Sequence, residues 1–263
     1  MSEKHPRMSR SRIQAEIMAG NVFVDGRVAD KPGVLYSPSA RIELRETENP
    51  YVSRGGLKLA GALRDLSVEV ERLTVLDVGA STGGFTDCLL KQGARLVYAL
   101  DVGYGQLDYS LRKDPRVIPM ERFNIRDLKT ADLKEKPDLA VVDVSFISLT
   151  RVLPVLAGLQ VPAVLALVKP QFEAGRAEAD RGRGVIRDPG LHRRILERTA
   201  AFACRIGYCP AAATFSRWPG PKGNIEYFIY LKNSGTGRCN CPPDAGDFFG
   251  ETVKEAHLEL GKN

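Results

Sequence analysis

Two charged side chains stand where long apolar runs of this sequence end. Asp143 follows Leu139-Ala-Val-Val142, and Lys169 follows Ala163-Val-Leu-Ala-Leu-Val168. Such runs predict buried strands, and in open α/β sheets the ligand crevice lies at the carboxyl ends of the strands. A carboxylate and an amine facing one crevice can orient a substrate and manage a proton. Taken singly, each residue is equally consistent with a solvated strand end.

A glycine-rich turn supplies the second candidate site. The stretch Asp77-Val-Gly-Ala-Ser-Thr-Gly-Gly-Phe-Thr86 follows a short apolar strand and leads into a predicted helix. This arrangement brings a nucleoside close to backbone N–H groups. It is not the dinucleotide fingerprint, and Asp77 would repel a pyrophosphate but tolerate a cationic sulfonium. The turn therefore favours S-adenosylmethionine over NAD, with glycines that serve only packing as the alternative.

Two further polar residues fit the same cofactor. Asp101 ends the next predicted strand, roughly 20 residues beyond the turn, where an acid can bind ribose hydroxyls. Asn124, in Glu121-Arg-Phe-Asn-Ile-Arg-Asp127, is a candidate contact for the adenine. The predicted cofactor-binding residues are Asp77, Gly79, Ala80, Ser81, Thr82, Gly83, Gly84, Phe85, Asp101, Asn124 and Asp143.

The elements that must position these residues alternate between helix and strand from Ser53 onward. Apolar strands are predicted over residues 75–78, 96–100, 139–144, 163–168 and 225–231, with helices between them. Nearly continuous apolar strands are typical of a parallel sheet covered on both faces. The predicted fold class is α/β, a Rossmann-like sheet with helices on both faces. We expect this domain to span residues 48–234, followed by a tail over 235–263 with a short helix from Thr252 to Leu260.

Residues 1–47 are predicted to form a separate small α/β unit. A short helix over residues 11–19 precedes a hairpin signal at Asp25-Gly26 and a strand-like alternation over residues 40–44. Three basic residues lead into the helix, which favours RNA binding over a purely structural appendage. The residues concerned are Arg7, Arg10 and Arg12.

Composition limits the possible classes. The chain has 263 residues, a net charge of +6 and 43% hydrophobic residues, which suits a well-buried core and tilts towards a polyanionic partner. No apolar run approaches the ~20 residues of a membrane span, and the first residues do not form a secretory signal. The five cysteines are interpreted as reduced thiols, and neither they nor the three scattered histidines predict a metal site.

Several sequence words resemble a known family. Tyr51-Val-Ser-Arg-Gly-Gly-Leu-Lys58, Val142-Asp-Val-Ser-Phe146, Leu167-Val-Lys-Pro-Gln-Phe172 and Gly223-Asn-Ile-Glu226 join the glycine-rich turn in resembling FtsJ-type ribose 2′-O-methyltransferases. The whole chain resembles the TlyA family, which adds a small RNA-binding module like that of ribosomal protein S-four. That module usually opens with an additional helix, which we do not expect in this sequence. The resemblance implies that the family's catalytic tetrad falls on Lys58, Asp143, Lys169 and Glu226.

The resemblance implies methylation of a ribose 2′-hydroxyl, of a cytidine in large- or small-subunit ribosomal RNA, by a cytoplasmic enzyme. Lys169 would act as a neutral base or as a charged stabiliser of the alkoxide, oriented by Asp143, while Lys58 and Glu226 would hold the ribose. An arginine-rich loop after Lys169 is interpreted as a phosphate clamp rather than a solvated loop, through Arg176, Arg181 and Arg183. The alternatives are a membrane-active haemolysin, a non-catalytic ribosome-assembly factor and a dinucleotide oxidoreductase.

Overall fold

The chain forms two separate sheets. The computed structural model describes residues 13, 16–17, 21–29, 33–44, 49–175, 184–235, 239 and 247–261. A three-stranded sheet has the order β2-β1-β3, and a seven-stranded sheet has the order β6-β5-β4-β7-β8-β10-β9. In the larger sheet, β4 to β8 run parallel, whereas β10 is antiparallel to both of its neighbours.

The described elements have the following bounds. The strands are β1 Val22–Val24, β2 Arg27–Val28, β3 Ile42–Leu44, β4 Thr74–Val78, β5 Leu96–Leu100, β6 Val117–Met120, β7 Leu139–Val142, β8 Ala163–Val168, β9 Tyr208–Phe215 and β10 Tyr227–Asn233. The α-helices are α1 Arg54–Asp65, α2 Gly84–Lys91, α3 Tyr109–Lys113, α4 Leu149–Gly158, α5 Pro170–Glu173, α6 Pro189–Arg205 and α7 Asp247–Leu260.

The large sheet is covered on both faces, as predicted. One buried cluster joins the sheet to residues of α4, α6 and α7, among them Leu153, Leu196 and Phe249. A second cluster on the opposite face includes Leu59 of α1 and Leu89 of α2. Strand β7 is buried along its whole length, which explains why its sequence, Leu-Ala-Val-Val, is apolar without alternation. The predicted α/β fold class with helices on both faces is therefore confirmed.

Two strands of the large sheet were not anticipated. Strand β6 is short and lies at an edge, where Pro119 is tolerated because its missing N–H faces no partner. Strand β9 begins Tyr-Cys-Pro-Ala-Ala-Ala, a run with little β propensity, and it forms because β10 offers an antiparallel partner along its whole length. The predicted strand over 139–144 ends at Val142, so Asp143 lies just outside it.

The small N-terminal sheet contains the predicted hairpin. Asp25 and Gly26 both have positive φ, at 50° and 77°, as the tight turn between β1 and β2 requires. Val22, Val24, Ala29 and Ala40 form a small buried cluster of their own. The predicted RNA contacts Arg7, Arg10 and Arg12 lie outside the described residues.

A disulfide bond joins the start of β9 to the segment that follows β10. Cys209 of β9 and Cys239 have Cα atoms 5.3 Å apart and are bonded to each other, whereas Cys88 and Cys204 take no part in a disulfide bond. The expectation that all cysteines are reduced is therefore wrong for these two, because the return of the chain after β10 brings distant residues within bonding range. Within the described ranges, the helices are all too short or too polar to cross a bilayer.

Candidate active site

The predicted tetrad assembles as two ion pairs. Lys169 follows β8 and Asp143 follows β7, and because these strands are parallel neighbours the two side chains meet in an ion pair at the carboxyl edge. Lys169 Nζ also donates to Ser145 Oγ at 3.1 Å. Only 11% of the Lys169 side chain and 22% of the Asp143 side chain are exposed. Neither residue is a solvated strand end.

The second pair joins residues far apart in the chain. Lys58 Nζ of α1 donates to Glu226 Oε2 at 2.7 Å, and the Glu226 side chain is fully buried. Strand β10 pairs with β8 in a register that sets Tyr227 opposite Val168. Glu226, which immediately precedes β10, and Lys169, which immediately follows β8, are thereby brought together. Gln171 Nε2 donates to the other Glu226 oxygen at 3.2 Å.

Electrostatics favours a charged lysine in this site. Burial lowers the pKa of Lys169, but attraction to Asp143 and Glu226 and the hydrogen bond with Asp143 outweigh it, so the pKa rises above the ordinary value. Two carboxylates beside two ammonium groups also make the four side chains neutral as a set. The lysine is therefore held protonated near neutral pH in the free protein.

The glycine-rich turn lies directly against the Lys169–Asp143 ion pair. Gly79 has φ of +88°, and a Cβ atom at this position would stand 2.3 Å from the Asp143 carbonyl oxygen, so only glycine fits. Asp143 N donates to Val78 O at 2.9 Å, which ties the two strand ends together. Gly83 is the N-cap of helix α2, and its φ of +95° is a left-handed conformation that favours glycine.

Asp77 lies in β4, two residues before Gly79 of the glycine-rich turn. Its side chain is completely buried, and Oδ2 accepts a hydrogen bond from Thr86 Oγ1 at 2.6 Å. Oδ1 has no hydrogen-bond partner among the residues that the structure describes. Burial raises the Asp77 pKa to about 7. A buried carboxylate with an open oxygen fits a cationic ligand, which is the chemistry that the sulfonium and ammonium groups of S-adenosylmethionine present.

Asp101 is held in place at the end of β5. Its two carboxylate oxygens accept from Ser81 N at 2.8 Å and Gly103 N at 2.7 Å, so the acid and the glycine-rich turn are one unit. Phe123 N donates to Asp101 O at 3.0 Å, which brings the neighbouring Asn124 to the same edge. Asn124 Oδ1 caps a short 3-10 turn by accepting from Arg126 N at 3.1 Å.

The remaining predicted cofactor residues divide into two groups. Ala80 and Thr82 belong to the turn itself, where Ala80 N donates to Leu100 O and Thr82 O accepts from Asp108 N, both at 3.1 Å. Gly84 and Phe85 face the protein instead. A Cβ at Gly84 would stand 2.1 Å from Ser53 Oγ, and Phe85 stacks on Phe228 in the core. Their role here is to pack α2 against α1 and the sheet.

Several residues of the site carried no recognisable signal in the sequence. Ser145 and Gln171 contact the tetrad directly, as described above. Phe146 is 88% exposed, adopts φ of +66° and packs on Phe172 with ring centroids 4.8 Å apart. Glu173 accepts from Leu149 N at 2.7 Å and so joins α5 to the start of α4. Ser145, Phe146, Gln171 and Phe172 lie within the motifs that carry the family resemblance, but no role was predicted for them.

The remaining predictions concern the arginine-rich loop, a metal site and the histidines. Arg176, Arg181 and Arg183 fall outside the described residues. Over the ranges described, no three His, Cys, Asp or Glu side chains are grouped as a metal site would require. The histidines are not all scattered, however, since His192 is fully buried and lies 3.0 Å from His257, Nδ1 to Nε2.

The sheet, the glycine-rich turn and the charged edge define an α/β enzyme built around a nucleoside-containing cofactor. Residues 51–233 match the family described as FtsJ-like methyltransferase, and the chain belongs to that family. It is 45% identical over 255 residues to the "Putative rRNA methyltransferase YqxC" of Bacillus subtilis, covering 96% of this chain and 90% of the relative.

Two more similarities place the chain with TlyA proteins. It is 45% identical over 230 residues to the "16S/23S rRNA (cytidine-2'-O)-methyltransferase TlyA" of Mycobacterium tuberculosis, which covers 86% of this chain and 85% of that protein. A solved structure described as a putative hemolysin from Streptococcus thermophilus has 42% identity and a TM-score of 0.78, covering 97% of this chain and 92% of that one. The resemblance to the TlyA family is confirmed.

Proposed function

We propose that this protein is an S-adenosylmethionine-dependent methyltransferase that methylates a ribose 2′-hydroxyl, of a cytidine, in ribosomal RNA. The observation that carries this proposal is the Lys169–Asp143 ion pair, seated directly against the Gly79 turn and beside the buried Lys58–Glu226 pair. The RNA and cytidine specificity is proposed by likeness to relatives whose names state it.

The cofactor is S-adenosylmethionine, which supplies an activated methyl group when bound. Asp77 suits the cationic end of this cofactor, because its buried Oδ1 has no hydrogen-bond partner among the described residues. Asp101 and Asn124 lie at the same sheet edge and suit its ribose and adenine.

The tetrad positions and activates the hydroxyl. Lys169 stays protonated and places its ammonium where negative charge develops on the ribose oxygen. The hydroxyl proton is released to water as the oxygen takes up the methyl group, so Lys169 need not lose its own proton first. Asp143 fixes the direction of the Lys169 amine. Lys58 and Glu226 hold the ribose from the opposite side, because their mutual hydrogen bond prevents either side chain from reorienting.

An RNA substrate also suits the surroundings of the tetrad. The exposed Phe146 ring, supported by Phe172, offers a flat apolar surface beside the dyad on which an unstacked base can rest. We propose that residues 1–47 form an RNA-binding module, that residues 48–234 form the methyltransferase domain, and that residues 235–263 form a C-terminal tail. The partner is ribosomal RNA or a ribosomal subunit, and the protein acts in the cytoplasm where subunits are assembled.

The test is methyl transfer from labelled S-adenosylmethionine to unmodified ribosomal subunits, each subunit assayed separately. The wild-type protein is expected to label at least one subunit at a ribose 2′-oxygen of a cytidine, located by nuclease mapping. Lys169→Ala is expected to abolish labelling while cofactor affinity, measured by calorimetry, is retained. Cofactor binding without transfer to either subunit would contradict the proposed substrate, and full activity of Lys169→Ala would contradict the proposed site.

The rival functions have their own discriminating results. A haemolysin would release dye from liposomes, and we expect no release at concentrations that saturate methylation. A non-catalytic assembly factor would bind subunits equally well with or without the tetrad and transfer nothing. The complete tetrad favours the enzyme, since a protein without catalysis has no use for two interlocked ion pairs at the cofactor turn.

A further inference from the structure

Asn224 is a buried amide whose two ends are both engaged. Its side chain is 2% exposed. Oδ1 accepts from Ile186 N at 3.1 Å, while Nδ2 donates to Gly184 O at 2.9 Å and to Pro221 O at 3.0 Å. One side chain therefore joins residues 184–186, which lie shortly before α6, to the turn formed by residues 220–224.

The 220–224 turn, which Asn224 closes, is in close contact with the Glu226 carboxylate. Gly220 N donates to Asn224 O at 2.8 Å, and Gly223 N donates to Gly220 O at 3.1 Å. A Cβ atom on Gly220 would stand 2.0 Å from Glu226 Oε1, so the Gly220 backbone is in close contact with the Glu226 side chain. Any shift of this turn must move the Glu226 carboxylate or release it.

The segment of residues 184–186 is anchored from its other side as well. Ile186 O contacts His192 Nε2 at 3.2 Å, and His192 Nδ1 contacts the Tyr227 hydroxyl at 2.8 Å. Tyr227 immediately follows Glu226 in the chain and is itself fully buried. Asn224 and His192 thus hold the segment between two points on either side of Glu226.

We infer that Asn224 is a positioning residue for methyl transfer, because its amide locks the 184–186 segment and the 220–224 turn around Glu226. The inference rests on the proposed function. Glu226 accepts from Lys58 and Gln171 through opposite oxygens, so a small displacement of its carboxylate lengthens both contacts. Misplacement of a catalytic group by about 1 Å costs on the order of 100-fold in rate.

Two substitutions separate hydrogen bonding from the filling of space. Asn224→Ala removes the three hydrogen bonds and leaves a cavity. Asn224→Asp keeps the shape and the acceptor for Ile186 N, but it replaces the donor to Gly184 O and Pro221 O by a carboxylate oxygen. If the amide acts by positioning, the isosteric Asp variant is as impaired as the Ala variant, because a buried carboxylate facing two carbonyl oxygens drives the segments apart.

The control substitution lies at the far end of β10, the strand that follows the 220–224 turn. Asn233 ends β10, and its Oδ1 accepts from Gly235 N at 2.9 Å. Asn233→Ala removes a hydrogen-bonded amide without contact to the 220–224 turn. We expect it to keep the wild-type rate of methyl transfer, which would show that loss of an asparagine amide at the other end of this segment does not by itself impair the site.

The experiment measures kcat, KM for ribosomal subunits and cofactor affinity for wild type and the three variants, with thermal melting to confirm folding. We expect kcat to fall roughly 100-fold in both Asn224 variants, with cofactor affinity within about 2-fold of wild type. The ratio of Asn224→Asp to wild-type kcat should rise as pH falls, since a protonated carboxyl can donate again.

Two results would overturn the inference while leaving the proposed function intact. One is a folded Asn224→Ala with wild-type kcat. The other is an Asn224→Asp that is fully active while Asn224→Ala is not, which would mean that the side chain only fills space. A wild-type protein that transfers no methyl group would instead contradict the proposed function, so the two failures are distinguishable.

Discussion

The protonation state of Lys169 makes a sharp prediction about the pH dependence of methyl transfer. The Lys169 pKa is raised above its ordinary value of 10.5 by Asp143 and Glu226, against the lowering effect of burial. At pH 7, fewer than roughly one molecule in 3,000 then carries a neutral amine, which is equivalent to about 5 kcal/mol if the amine must first deprotonate. A charged stabiliser avoids this cost altogether.

The two roles of Lys169 give different profiles between pH 6.5 and 9. A neutral base would raise the rate of the chemical step tenfold for each pH unit, or about 100-fold from pH 7 to pH 9, because the neutral fraction grows in that proportion. A charged stabiliser predicts a rate that is flat over this range and falls only above the raised pKa. We expect the flat profile.

The assay is single-turnover methyl transfer at saturating cofactor, so that product release does not hide the chemical step. Asp77, whose pKa is raised to about 7 by burial, titrates in the same range in the free protein, so Asp77→Asn is measured alongside to identify its contribution. Lys169→Arg keeps a positive charge and should retain partial activity. A log rate that climbs with slope one in both wild type and Asp77→Asn, with an inert Lys169→Arg, would refute the charged role.

The remaining predictions concern the buried groups around the site. Lys58→Met leaves the fully buried Glu226 carboxylate without its ion-pair partner and should lower the free energy of unfolding by about 3 kcal/mol, measured by urea denaturation. The control, Arg193→Met, removes a partner from an exposed ion pair and should cost under about 1 kcal/mol. Equal losses would show that burial of the pair is unimportant. Cofactor affinity, measured by calorimetry, should weaken as pH falls below about 7 because Asp77 becomes protonated, and Asp77→Asn should bind more weakly at pH 8 without this pH dependence; an unchanged affinity in the variant would exclude the contact. Burial and then the neighbouring His257 lower the His192 pKa to about 4, so the unfolded chain binds the extra proton first and stability should be full above pH 6.5 and fall by up to about 3 kcal/mol as pH drops to 4. His192→Gln should flatten that decline in thermal melts, and an identical decline would assign it to other groups.

Much of the fold could be predicted because its signals are local. Strands β5 and β8 were predicted with their observed ends, since buried parallel strands are written as unbroken apolar runs bounded by polar residues. The Asp25-Gly26 hairpin followed from two residues that tolerate positive φ. Strands β6 and β9 were missed, because their stability comes from partners elsewhere in the chain and not from their own composition.

The chemistry of the site was predictable in kind but not in arrangement. The sequence by itself determined the glycine-rich turn, the acids that follow two strands and the charge types of the tetrad, because each depends on neighbours a few residues away. Only the tertiary structure decided which charge pairs with which. The antiparallel insertion of β10 between β8 and β9 brings Glu226 to Lys58 and Lys169, and it brings Asn224 to residues 184–186. Such pairings between distant segments follow from strand order and register, and no local pattern in the chain encodes them.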